Sequence, residues 1–139
     1  VEDELRRDGD LVISLAAECD GAICGHVALS RMQSPPGALA LGPVAVGKAM
    51  QGRGIGSALV REAIGRARVL CCDIVFVLGA PRFYERFGFS GKAAKAFPSR
   101  YSGPAFMALH LAPERVPPAP AVYASAFGRL ESPSGDRGI

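Results

Sequence analysis

The chain has no tryptophan, no Cys-x-x-Cys pair and no block of consecutive lysines and arginines beyond Arg6-Arg7. Nor does it hold an apolar run approaching the roughly 18 residues of a spanning helix, and no signal peptide is visible, so its slightly positive mean hydropathy does not indicate a membrane protein. Sixteen basic against thirteen acidic residues leave a net charge of +3. That balance does not imply nucleic acid, but it is compatible with an anionic cofactor. Cys71 and Cys72 are adjacent, and Cys19 and Cys24 flank a turn, which is neither a disulfide framework nor a zinc spacing. Four reduced thiols, a cytoplasmic location and no metal are the resulting expectations. What remains is 139 residues, 49% hydrophobic, enough to bury the core of one domain.

The most informative stretch runs from Leu39 to Gly56, LALGPVAVGKAMQGRGIG. Leu39, Leu41, Val44 and Val46 fall out of alternation across Gly42-Pro43, as in a strand broken by a bulge. Gly52, Gly54 and Gly56 follow, and then a helix over Ser57 to Arg68. On that helix Ile55, Leu59, Val60, Ala63, Ile64 and Ala67 share one half, and Ser57, Arg61, Gly65 and Arg68 the other. Free N–H groups and the positive end of the helix dipole make such a turn an anion site, to which Arg53 adds a charge.

Spacing separates three phosphate-binding grammars. A P-loop needs a lysine after its last glycine, and none is present. A dinucleotide turn needs G-x-G-x-x-G with an acid about 20 residues on; Asp73 lies near that distance, but the third glycine comes one residue early. The third grammar, Q-x-x-G-x-G, is met by Gln51, Gly54 and Gly56. Here the chain resembles the GNAT acetyltransferase superfamily, whose signature turn holds the pyrophosphate of acetyl-coenzyme A. The match departs from the pattern at Gly47-Lys48-Ala49-Met50, where many members carry a proline and an aromatic residue.

Downstream, Ile74-Val75-Phe76-Val77-Leu78 reads as a strand covered on both faces, reached from the first by a right-handed crossover that makes the two parallel. Gly79-Ala80-Pro81 breaks it, and a short helix from Arg82 to Phe87 ends at Gly88. Phe83-Tyr84-Glu85-Arg86-Phe87-Gly88-Phe89 is similar to the superfamily's second signature, in which the tyrosine points at the coenzyme sulfur. Carried onto this chain, that residue is Tyr84. The plainer alternative is a half-buried tyrosine packing a short helix.

The remaining elements complete an α+β reading. Val1 to Arg7 is the end of an amphipathic helix; Leu11–Ala17 and Ile23–Met32 are strands joined through Asp20-Gly21; Ser34 to Gly37 is a rigid loop. This antiparallel meander feeds the parallel βαβ crossover in one mixed central sheet, the GNAT acyl-CoA N-acyltransferase fold that the resemblance implies over about Asp10 to Leu111. The resemblance also implies that a strand and one or two helices usual in the family would precede this chain's first residues. Gly91 to Ser102 is a basic loop, Phe106–Leu111 the last strand and a candidate homodimer edge. Prolines 113, 117, 118 and 120 exclude regular structure, Val122 to Phe127 packs back, and the single domain ends near residue 128 before a frayed tail over 129–139.

By resemblance, Val44, Ala45 and Val46 would bond the pantetheine arm as an added strand, one N–H polarising the thioester carbonyl. Gln51, Gly52, Arg53, Gly54, Ile55, Gly56 and Ser57 would hold the diphosphate. Tyr84, with a phenol pKa near 10 that roughly matches an alkyl thiol, is the candidate general acid toward the leaving thiolate. The base is less defined. Ala38 to Val46 contains no carboxylate, leaving His26 as candidate, with Glu18 and Glu85 behind it; His26 also reads as a polar residue on the half-solvated hairpin face. The implied activity is direct transfer of an acetyl group from acetyl-CoA to a primary amine in a ternary complex. The alternative is a catalytically weak acetyl-CoA-binding sensor or regulatory module, and a plain structural domain would bind no coenzyme.

Overall fold

The computed structural model describes residues 2–112 and 116–129. A seven-residue helix, α1 (Glu2–Asp8), precedes β1 (Leu11–Cys19) and β2 (Ala22–Arg31). Asp20 and Gly21 join these strands with φ of 52° and 81°, the left-handed pair that lets a two-residue loop follow the strands' twist. β3 (Ala38–Val46) lies antiparallel to β2 and parallel to β4 (Ile74–Leu78), and β5 (Phe106–His110) returns antiparallel to β4. The sheet order is β1-β2-β3-β4-β5, with α2 (Ile55–Val69) as the crossover between the parallel strands. It is an α+β arrangement of the kind expected, and β5 stands at the edge of the described sheet.

The continuous apolar run of β4 is buried on both faces. Val75 and Val77 pack with Leu39, Leu41 and Met107 under the apolar half of α2 (Leu59, Val60, Ala63, Ile64, Ala67). Ile74 and Phe76 point the other way, into a second cluster with Phe97, Phe106, Leu5 of α1 and the C-terminal residues Tyr123, Ala126 and Phe127. Phe76 anchors that cluster by stacking on Phe106 and meeting Phe97 edge-on. Covering both faces is what allows an uninterrupted β-branched and aromatic strand. The last described helix, α5 (Ser125–Arg129), seals the second face, so the return of the chain after the prolines is as expected. The expected tail falls almost wholly outside the described residues.

Three local expectations need correction. The basic loop after Phe89 contains a short helix, α4 (Gly91–Ala94), because Ser90 caps it: its Oγ accepts a hydrogen bond from Ala93 N–H at 3.0 Å. Ser57 belongs by periodicity to the solvent half of α2 but is buried, covered from a neighbouring element rather than by the sheet. Cys19 and Cys24 are not free thiols but a disulfide with Cα atoms 5.8 Å apart. Ala17 pairs with Gly25 and Glu18 with Ile23, which leaves Cys24 as the extra residue of a bulge and carries it to Cys19. With Cys19 and Cys24 joined, the cysteines do not point to a reducing compartment. Cys71 is exposed and Cys72 buried; burial raises the Cys72 thiol pKa and keeps it unreactive.

Tyr123 yields a stability prediction. Its hydroxyl is buried with no hydrogen-bond partner among the described residues, and burial pushes the phenol well above its ordinary range. The unfolded chain ionises this ring near pH 10 whereas the folded chain does not. Its contribution is complete below that pH and is lost as pH rises toward the folded value. Tyr123→Phe removes a polar group whose uncompensated burial costs about 1–3 kcal/mol. The variant is expected to be at least as stable as the parent in urea melts at pH 7 and to lose less stability between pH 9 and 11. A destabilised variant with an unchanged alkaline slope would contradict this account.

Candidate active site

The site originates in a break of the sheet. Ala38 to Leu41 of β3 pair with Ile74 to Val77 of β4, and there the parallel ladder stops while β3 continues to Val46. The cause is the bulge foreseen at Gly42-Pro43. Val27 of β2 faces Val44 and Leu29 faces Leu41, so these two residues crowd opposite Ala28 and turn β3 away from β4. Gly42 has φ of 139°, a conformation closed to most side chains.

The splayed strands enclose a cleft of about 640 Å³. One wall is Leu41, Gly42, Val44 and Val46; the opposite wall is Leu78, Gly79, Ala80, Phe83 and Tyr84; Met50 to Gly52 and Gly54 to Ser57 form one end. Alternation takes Ala45 to the other sheet face, so the Val44 and Val46 side chains line the cleft and that of Ala45 does not. After β3, Gly47 N–H donates to Cys24 C=O at 2.7 Å and a single 3₁₀ turn over Lys48–Met50 leads into the glycines. Gln51 Nε2 donates back to Val46 C=O at 3.1 Å, tying the turn to the strand end.

Gly52 and Gly54 have φ of 85° and 81°, and a Cβ added at either would meet nothing within 4 Å. Their lack of side chains therefore serves the backbone path and leaves open space before the helix. Gly54 is the N-cap of α2, which begins at Ile55, earlier than expected; no side chain caps it and its first turn holds no acid. Its first-turn N–H groups and the positive end of its dipole are left without a capping side chain or a first-turn carboxylate, as an anion site requires. A concave end of this kind fits a diphosphate.

The opposite wall comes from α3 (Pro81–Glu85), shorter than expected and started by a proline at its first position. Tyr84 is buried between Phe83 and Phe89, both edge-on to it, and burial raises the pKa of its phenol. Gly79 makes room for the ring: a Cβ there would sit 2.7 Å from Tyr84 Cε2.

Two expected residues are placed elsewhere. His26 lies on β2 opposite Ala45, on the sheet face away from α2, with Nε2 2.9 Å from Ser14 Oγ, and it does not line the cleft. Arg53 is exposed at the turn but is not on the cleft wall. The cation that is there, Arg86, has no motif-level signal beyond its nearness to Tyr84; its Nη2 donates to Ser57 Oγ and so covers that serine. No carboxylate occurs among the described residues lining the cleft, and Glu18 and Glu85 are exposed outside it.

Bulged strand, glycine turn, crossover helix and buried phenol meet around one cleft between parted parallel strands of an α+β domain. Residues 1–89 match the family model described as "Acetyltransferase (GNAT) family", and the chain belongs to that family. The uncharacterized N-acetyltransferase YjhQ of Escherichia coli is 37% identical over 111 residues, 75% of this chain and 59% of the relative. YhbS of the same species is 33% identical over 104 residues, 72% of this chain and 62% of its own length. The chain thus spans about six-tenths of these curated relatives.

The crystal structure of YhbS in complex with CoA superposes with a TM-score of 0.81 at 30% identity, over 92% of this chain and 76% of that one. A GNAT family acetyltransferase from Brucella melitensis in complex with acetyl-CoA gives 0.75 at 34% identity, over 90% and 74%. The fold is the GNAT fold. No described helix is long and apolar enough to cross a membrane.

Proposed function

We propose that the chain transfers an acetyl group from acetyl-CoA to a primary amine of a small molecule or peptide, within a ternary complex and without a covalent enzyme intermediate. The observation that carries the reading is that the empty-faced glycine turn and the buried Tyr84 phenol border one cleft, at its end and on its wall. The thioester supplies the activated acetyl group. In this reading Gly52 to Ser57 bind the diphosphate, and the backbone of Val44 to Val46 aligns the arm and offers an N–H to the carbonyl as an oxyanion hole. Tyr84, protonated at neutral pH as a phenol ordinarily is, gives a proton to the departing sulfur. The bound acetyl-CoA and CoA of the two structural relatives support the choice of coenzyme.

A panel of primary amines, each incubated with acetyl-CoA and the chain while free thiol is measured, tests the reading. Release of thiol that depends on both chain and amine is expected. Tight acetyl-CoA binding without turnover on any amine would favour the sensor alternative.

His26 faces away from the cleft, so this reading assigns the amine's proton to water rather than to that imidazole. His26→Ala is expected to keep the pH dependence of kcat/KM within about twofold at every point. Loss of the acidic limb in the variant would restore His26 as the base.

A further inference from the structure

We propose that Arg86 is the side chain that grips the coenzyme's diphosphate, held ready for it by two phenylalanine rings. The inference rests on the reading that the cleft takes coenzyme A, and it adds a residue that neither signature motif supplies. Among the described residues lining the cleft Arg86 is the single cation. Its Nη2 donates to the hydroxyl of Ser57, the third residue of α2 and part of the first turn, whose N–H groups have no intrahelical partner. Its guanidinium carbon stands 5.3 Å from the ring centre of Phe83 and 5.5 Å from that of Phe87. Two aromatic faces and one hydroxyl restrict the fork's rotamers before any ligand arrives, and the remaining N–H donors stay available for phosphate oxygens.

The electrostatics call for an anion at this point. A cation beside a helix N-terminus stands at the positive end of the dipole, the wrong end for stability. The first turn of α2 carries no acid to offset it, and no carboxylate lies within ion-pair distance of Arg86 among the described residues. Positive charge therefore accumulates where the turn also points its amides. An arrangement unfavourable to the bare fold and favourable to a bound diphosphate marks a functional position. Arg53, the cation suggested by the motif, is off the cleft wall, and Arg86 occupies the role from the far side.

The test compares wild type, Arg86→Gln, Arg86→Lys and Arg82→Gln by calorimetric titration with CoA and with 3′-dephospho-CoA, alongside thermal melts without ligand. Arg86→Gln is expected to weaken both ligands by about ten- to a hundredfold, the range of a charge-assisted contact. Its affinity should also depend less on salt between 50 and 500 mM. Arg86→Lys should recover part of the loss, and Arg82→Gln, which removes an exposed charge from the helix that Arg86 follows, should stay within about twofold. Ligand-free Arg86→Gln should melt no lower than wild type, whereas a residue serving only to pack Phe83 and Phe87 would lower the melt and spare the salt dependence.

Unchanged CoA affinity in Arg86→Gln overturns the proposal. So does a loss confined to CoA and absent with 3′-dephospho-CoA, which would assign Arg86 to the 3′-phosphate. Should Arg86→Gln fail to fold, the Lys variant and Ser57→Ala carry the same comparison. Failure of wild type itself to bind CoA would overturn the reading of the cleft rather than the role of Arg86 within it.

Discussion

Replacing Gly54 by glutamate is expected to lower acetyl-CoA affinity at least a hundredfold, a change of about 2.7 kcal/mol. Gly54 caps α2 with φ of 81°, and a side chain there meets no protein atom. A glutamate would extend into the space before the helix and place a carboxylate where the diphosphate is proposed to lie. It would satisfy the helix's own demand for negative charge and compete with the ligand at the same amides. Backbone strain is shared by Gly54→Ala, about 1 kcal/mol for a residue forced into the left-handed region. Titration of both variants separates the causes. Equal losses in Gly54→Ala and Gly54→Glu would mean that the turn's shape matters and its electrostatics do not.

The second large effect is expected at Tyr84. Tyr84→Phe keeps the ring that packs between Phe83 and Phe89 and removes only the hydroxyl. If that hydroxyl protonates the leaving thiolate, kcat should fall by about 10²-fold or more while the KM for acetyl-CoA moves little. Gly79→Ala should approach the same result from behind the ring, since its Cβ would lie 2.7 Å from Cε2 and force the phenol from its place. In the double variant the losses should not add, because the displaced group is already without its hydroxyl. Full kcat in Tyr84→Phe at every pH would remove the general acid from the scheme. Additive losses would detach Gly79 from Tyr84.

What could be read from the chain alone depended on how local the cause was. The bulge at Gly42-Pro43, the glycine turn, the two-residue loop at Asp20-Gly21 and the buried run of β4 are each set by neighbouring residues, and each is where the sequence places it. The role of Arg86 was hidden because Ser57 and Arg86 are brought together by the crossover, and periodicity along α2 sees one partner only. The link between Cys19 and Cys24 escaped because it needs a one-residue bulge in β2, and nothing in Ile23-Cys24-Gly25 announces an irregular register. Gly79 is a similar case. Its small size reads as a strand terminator until the ring of Tyr84 is seen lying against it.

The interruption of the β3–β4 ladder after Leu41 and Val77 also bears on how this chain can change over time. A site formed by a gap between strands offers a ligand mainly amide and carbonyl groups, which all residue types other than proline carry in full. Val44 and Val46 can then drift among branched aliphatic residues without erasing the binding surface. Gly54, by its φ of 81°, and Gly79, by the Tyr84 ring lying 2.7 Å from where a Cβ would stand, hold most of the vulnerability. A strand gap of this kind is a property of backbone shape, and backbone shape is what this chain shares with the 30% identical YhbS at a TM-score of 0.81.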